Sequence, residues 1–239
     1  MSNKKTLVIL PGWGGNQQTW NEFISIADEK FDVVCIDLPC FGSEPCPDRI
    51  WGVEDYANFA KNKIKQVPDV KEIILLGHSF GGQVAIYLVA HEPKLVDKLV
   101  LSGAAVFRPH KALRRWLFMG LAKFSKLILR IPILEKYNIP VRKVIYKFIN
   151  SPDYSCTSGI KRDIFKKIIR QDLTYLLFKI KTPTMVVWGT KDKFVPLRHG
   201  KKIKQLIPKC KLEIIKGGRH GLHLQMPEKL LEIIYAFSN

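Results

Sequence analysis

No stretch of this 239-residue chain reaches the eighteen or so consecutive apolar residues that a membrane-crossing helix needs, so no transmembrane helix is expected. Met1-Ser2-Asn3-Lys4-Lys5 runs directly into a strand-like segment, Thr6 to Leu10, without the apolar stretch of a secretory leader, and the expected compartment is the cytoplasm. Cysteine pairs at metal or redox spacing are missing too. Cys35, Cys40, Cys46, Cys156 and Cys210 form no C-x-x-C and have no histidine at ligand spacing, so neither a structural zinc nor a thiol redox motif is expected. They read as reduced thiols, with a Cys40–Cys46 bridge as the alternative. Acidic residues are scarce, 21 Asp and Glu against 39 Lys and Arg, for a net charge of +18. No recognisable nucleic-acid module accompanies that charge, which excludes nucleic acid as the expected partner and leaves anionic partners in general.

What is present is an ordinary globular composition, 46% hydrophobic and 25% charged. Six short segments rich in Val, Ile and Leu read as buried parallel strands, near 5–10, 32–37, 72–77, 97–102, 184–189 and 211–215. Helical patterns alternate with them after Trp20, over 53–67, after Gln83, over 198–206 and over 228–237. This alternation predicts an α/β fold with a parallel sheet covered by helices on both faces. About eighty residues separate the fourth and fifth strands, far more than a crossover needs. The prediction is a core made of residues 1–106 and 183–239, with a helical insert over 107–182. That insert holds 18 basic and 4 acidic residues, so +14 of the net charge is concentrated there. Its apolar residues recur at helical spacing, as in Ile160, Ile164, Phe165, Ile168 and Ile169 against Lys161, Arg162, Lys166, Lys167 and Arg170. Leu113, Trp116, Leu117, Phe124, Leu127 and Ile128 repeat the split against Arg114, Arg115, Lys123, Lys126 and Arg130.

Gly77-His78-Ser79-Phe80-Gly81 follows the apolar run Ile73 to Leu76 and precedes a helical pattern. A serine on such a strand-to-helix turn is presented as a nucleophile, and glycines on either side let strand and helix approach closely. A serine hydroxyl needs a base, and the base needs an orienting acid. After the sixth strand, Gly217-Gly218-Arg219-His220-Gly221 presents His220 as the base, with His223 as an alternative. After the fifth, Gly189-Thr190-Lys191-Asp192 presents Asp192 as the acid, its alternative being a plain turn residue. His91, His110 and His199 read as surface. The developing oxyanion needs two donors, and the backbone N–H groups of Phe80 and of Trp13, in Pro11-Gly12-Trp13-Gly14-Gly15, are the candidates.

With Asp37-Leu38-Pro39-Cys40-Phe41-Gly42-Ser43 added, these motifs resemble those of α/β-hydrolase fold esterases over nearly the whole chain, and the Pro11–Gly15 and Asp37–Ser43 motifs are similar to those of pimeloyl-acyl-carrier-protein methyl ester esterases. The resemblance implies a lid-bearing carboxylesterase without cofactor or metal, with the 107–182 insert as the lid. Two departures stand out. Pro11 occupies the place of the family's usual histidine, and the chain starts at what would be the family's third strand, so a sheet reduced at its N-terminal side is expected. The expected reaction is carboxylic ester hydrolysis on a small-molecule substrate. Trp116, Phe118, Phe124, Tyr146 and Phe148 are candidates for an apolar acyl pocket, and an acidic acyl-carrier protein or an anionic lipid surface is a possible partner of the basic lid.

Overall fold

The computed structural model describes residues 4–68, 70–108 and 159–239. Six strands, β1 (Lys5–Leu10), β2 (Phe31–Cys35), β3 (Ile73–His78), β4 (Lys98–Ser102), β5 (Thr184–Gly189) and β6 (Cys210–Ile215), pair in the order β2-β1-β3-β4-β5-β6. Every pairing is parallel, in the register Leu7↔Val33, Val8↔Leu75, Leu75↔Leu99, Leu99↔Thr184 and Val186↔Leu212. Among the described residues, β2 forms one edge with no strand beyond it, as the reduced-sheet expectation has it.

Between the strands lie α1 (Asn21–Ala27), α2 (Val53–Lys65), α3 (Phe80–His91), α4 (Gly159–Ile168), α5 (Thr174–Leu177), α6 (Leu197–Leu206), α7 (Leu222–Gln225) and α8 (Pro227–Ser238). Alternating side chains along each strand feed two cores, because successive residues of a strand point to opposite faces. Val8, Leu10, Leu75, Leu101, Val186 and Trp188 meet α2, α3 and α6 on one face. Leu7, Ile9, Ile74, Leu76, Val100 and Val187 meet α1 and α8 on the other. Each large apolar side chain so withdrawn from water contributes about 1.5–3 kcal/mol.

Residues 159–180, the end of the predicted insert, share the first core: Ile164, Phe165, Ile168, Leu173, Leu176, Leu177 and Ile180 are all buried in it. Ile169 departs from the amphipathic reading and is exposed. Arg108, where the chain leaves the core, reaches back to the same segment. Its guanidinium donates to the Gln83 side chain (2.8 Å) and to the carbonyls of Ile168 (3.0 Å) and Gln171 (2.9 Å). The two stems of the insert are thus fastened to α3. His110, the 113–130 amphipathic pattern and Trp116, Phe118, Phe124, Tyr146 and Phe148 lie outside the described residues.

The cysteine expectation needs correction, because Cys40 and Cys46 form a disulfide. A turn closed by Phe41 N–H to Leu38 O and Cys40 N–H to Pro45 O brings their Cα atoms to 4.1 Å. Cys35 and Cys210 are free thiols, and Cys156 lies outside the described residues.

Candidate active site

All six strands end on one edge of the sheet, so the loops that follow them converge there. The order reverses between β1 and β3, and Ser79 follows β3 at that switch point. Its backbone lies at φ 51°, ψ −109°, a region a non-glycine residue enters only under constraint. The constraint is visible. Ser79 N–H donates to Ser102 O (3.0 Å), Ala105 N–H donates to Ser79 O (3.2 Å), and α3 starts at once with Phe80. A Cβ on Gly81 would sit 2.0 Å from Leu10 O, and one on Gly77 2.8 Å from Gly82 Cα, so only glycine lets α3 approach β1 and β3 this closely.

His220 and Asp192 arrive from the loops after β6 and β5. His220 Nδ1–H donates to Asp192 Oδ2 at 2.8 Å, while Asp192 Oδ1 accepts the amides of Phe194 (2.9 Å) and Val195 (2.8 Å). The Asp192 side chain is 1% exposed and that of His220 17%, so the pair is shielded on the acid side and open on the imidazole side. Trp188 helps fix the acid's loop, its indole N–H donating to Val195 O at 2.9 Å. The end of β4 runs between these groups and the serine. Ser102 O holds the Ser79 amide, and a Cβ on the next residue, Gly103 at φ +57°, would come within 3.0 Å of His220 Nδ1 and 3.4 Å of Asp192 Oδ2. Residues 102–103 therefore bring Ser79, His220 and Asp192 into one cluster.

The other histidines differ. His223 is buried and its ring stacks flat on Trp20, with centroids 3.8 Å apart and planes 6° apart. Burial, and secondarily His220, push its pKa down to about 4. His78, beside the serine, is buried. Its Nδ1–H donates to Ser102 O (3.0 Å), and burial, followed by His220 and His223, holds it neutral far below the ordinary histidine range. His91 is exposed as expected, and His199 is half-buried. Its ring packs edge-on against Phe107 (5.2 Å), and its Nδ1 is buried.

Trp13 and Phe80 flank the serine. A Cβ on Gly12 would lie 3.2 Å from Ser79 Cβ, so the turn after β1 passes directly beside the serine, closed by Gly15 N–H to Gly12 O (3.0 Å). Phe80 opens α3, where backbone N–H groups have no partner within the helix. The Trp13 ring lies against Phe41 (4.8 Å), Phe165 (5.0 Å) and Phe80 (5.6 Å), an aromatic wall on this side of Ser79. Sequence reasoning missed Phe41, Phe165 and Lys161 as wall residues. Lys161 donates to Cys40 O (3.2 Å) with its ammonium 4.3 Å from the Phe41 ring centre. The signals were a motif residue and one helix's apolar face, and only the fold joins them. Asp37 was likewise missed as an anchor. It accepts the amides of Gln17 (2.7 Å) and Ser43 (3.0 Å), tying the turns after β1 and β2 together. Among the described residues, no group of three or more His, Cys, Asp or Glu could hold a metal ion, and no helix is long and apolar enough to cross a membrane.

Residues 1–226 match the family described as serine aminopeptidase, S33. The chain belongs to that family. Serine hydrolase BPHL of Mus musculus is 25% identical to this S33-family chain over 237 residues, covering 97% of the chain and 78% of the relative. An uncharacterised hydrolase of Bacillus subtilis, YugF, is 24% identical over 262 residues, 98% of the chain and 90% of the relative. Among solved structures, an esterase from Exiguobacterium antarcticum superposes with a TM-score of 0.74 at 21% identity, over 100% of this chain and 94% of that one. Family and fold agree on the α/β-hydrolase superfamily and on the general catalytic chemistry of its serine hydrolases.

Proposed function

We propose that the protein is a carboxylic ester hydrolase working through an acyl-enzyme. Ser79 Oγ attacks the ester carbonyl, His220 takes the hydroxyl proton and delivers it to the leaving alkoxide, and Asp192 orients the imidazole and stabilises its charged form. The Trp13 and Phe80 amides bind the oxyanion. Water, deprotonated by His220, then frees the acid. No cofactor or metal takes part. The observation that carries this reading is the Asp192–His220 hydrogen bond of 2.8 Å standing across residues 102–103 from the strained Ser79.

An aminopeptidase reading requires a place for a free α-ammonium group on the acyl side. There the wall is aromatic and its ionised group is the Lys161 ammonium, which repels such a substrate. An ester with an apolar acyl chain fits the wall instead. The resemblance to a lid-bearing esterase extends the proposal to the insert, whose +14 suits an anionic partner such as an acidic acyl-carrier protein or an anionic lipid surface. The second reading is a non-hydrolytic member of the same fold, a small-ligand receptor, lyase or cofactor-free peroxidase.

Hydrolysis of p-nitrophenyl esters with acyl chains of two to twelve carbons, by wild type and by Ser79→Ala, tests the proposal. Turnover by wild type, falling by a factor of about 10⁴–10⁶ in the variant, is expected. Equal background rates in both proteins refute it in favour of the non-hydrolytic reading.

A further inference from the structure

The two sides of Ser79 differ, an aromatic wall with the single Lys161 ammonium on one and a cluster of three cations on the other, and the reaction assigns each side to one half of the substrate. In acyl transfer the histidine that takes the serine's proton returns it to the leaving oxygen, so the alcohol half of an ester lies on the imidazole side. Beside His220 the loops after β5 and β6 enclose a cleft of about 710 Å³, lined by Lys191, Lys193, Phe194 and Arg219, with Asp192 and His220 itself. All three cationic side chains are exposed, and among the described residues none has an ion-pair or hydrogen-bond partner. Elsewhere Lys5, Lys61, Lys63, Lys98, Lys166, Lys167 and Lys229 each meet a carboxylate. Among the described residues, the acid lining the cleft is Asp192, which is committed to His220 and two amides and is 1% exposed.

The backbone beneath these cations is fixed. Lys191 N–H donates to Gly218 O (2.8 Å), Gly217 N–H to the Thr190 hydroxyl (2.9 Å) and Arg219 N–H to the Gln225 side chain (2.8 Å), so the two loops form one frame. Phe194, 63% exposed, stands 5.2 Å from the His220 ring and offers the cleft an apolar surface.

We infer that Lys191, Lys193 and Arg219 form a leaving-group subsite selecting esters whose alcohol half carries a phosphate or carboxylate. The inference rests on the proposed esterase reading and adds to it the charge of the substrate. Bound there, the anion offsets three like charges held close together, and the same field draws the ester in from solution. The cations act on the alcohol half alone, leaving the acyl chain to the Trp13–Phe41–Phe165 wall.

The test is a matched pair of substrates, 1-butyrylglycerol and 1-butyrylglycerol 3-phosphate, which share acyl group and scissile bond. At low salt wild type is expected to favour the phosphate-bearing ester by about tenfold or more in kcat/KM, with the advantage shrinking as ionic strength rises. In Lys191→Gln/Lys193→Gln/Arg219→Gln the ratio is expected to approach one. An equal removal of charge from exposed residues at the opposite edge of the sheet, Lys65→Gln/Lys94→Gln/Lys209→Gln, is expected to keep the wild-type ratio. A wild-type ratio near one, or the same drop in both triple variants, overturns the inference. So does a preference seen only when the phosphate ester is presented in phosphatidylglycerol vesicles, which would place the charge recognition on a membrane surface. If wild type turns over neither ester, the esterase reading has failed. Calorimetric binding of the two uncleaved esters then decides the subsite, with tighter binding of the phosphate ester, abolished only in the first triple variant, upholding it and equal binding overturning it.

Discussion

At the edge of the sheet where the strands begin, charge is matched around Glu72. Glu72 receives Lys5 (3.0 Å) and Lys98 (3.5 Å), both lysines also donate to Ser238 O, and Asp97 accepts the Ile73 amide (2.7 Å). At the edge where the strands end, the pattern inverts. Ser79 is held in a strained conformation and, among the described residues, the Lys191, Lys193 and Arg219 side chains have no ion-pair or hydrogen-bond partner. Among the described residues, the buried side-chain atoms lacking a hydrogen-bond partner, Ser102 Oγ, His199 Nδ1 and His223 Nδ1, all belong to this edge. Such groups cost stability and persist only where the surrounding fold overrides them. One edge closes the structure and the other keeps reactive groups available.

Substitutions at the two edges should separate along this line. Asp192→Asn changes one oxygen of the working edge, and an amide there favours the wrong tautomer of His220, so kcat for ester hydrolysis should fall by about 10³–10⁴ while the melting temperature stays within a few degrees. A fall below tenfold would mean the pair does not act as the chemistry requires.

Acid should attack the same edge through its buried histidines. His223 is held neutral in the fold with a pKa of about 4, against about 6.5 when unfolded, and it faces Trp20, His78 and His220. Below pH 6.5 the unfolded chain binds the extra proton and the folded chain does not, so stability declines as pH drops. The loss levels off near pH 4, after on the order of 3 kcal/mol from this group. Urea unfolding between pH 7 and 4 measures the slope, and His223→Phe, which keeps the stack on Trp20, should flatten it. An unchanged slope in that variant would assign the effect elsewhere.

Gly81→Ala places a methyl group against the Leu10 carbonyl and should cost about 2 kcal/mol, with activity lost as α3 and Ser79 shift. Glu72→Gln, at the matched edge, should cost less than about 1 kcal/mol, because the partners are each a fifth to a third exposed, and leave ester turnover unaltered. If Glu72→Gln lowered turnover, the separation of the two edges would not hold.

Much of this was legible in the chain. The strand bounds from β1 to β6 lie within a residue or two of the apolar runs; β1, β3, β4 and β5 are buried on both faces and read as continuous Val, Ile and Leu, while the edge strands β2 and β6, read as buried, are partly exposed. The loops that carry Ser79, Asp192 and His220 were legible because glycines and turn residues mark the loops after strands. The start of α3 was not: its pattern reads from Gln83, whereas the helix begins at Phe80. The Cys40–Cys46 bond was left as an alternative, since spacing alone does not tell a closed turn from an open one.

The sequence by itself determined the alternation of strand and helix, the parallel sheet and the position of the serine, all set by local periodicity and by glycine's freedom of backbone. Only the tertiary structure decided which histidine meets Asp192. His220 and His223 lie three residues apart in one loop with similar signals, and the difference is made by Trp20, which stacks on one, and by the β5 loop, which brings the carboxylate to the other. The same holds for the charge beside His220. Lys191, Lys193 and Arg219 are ordinary basic residues in a basic chain until β5 and β6 pair and set their loops side by side.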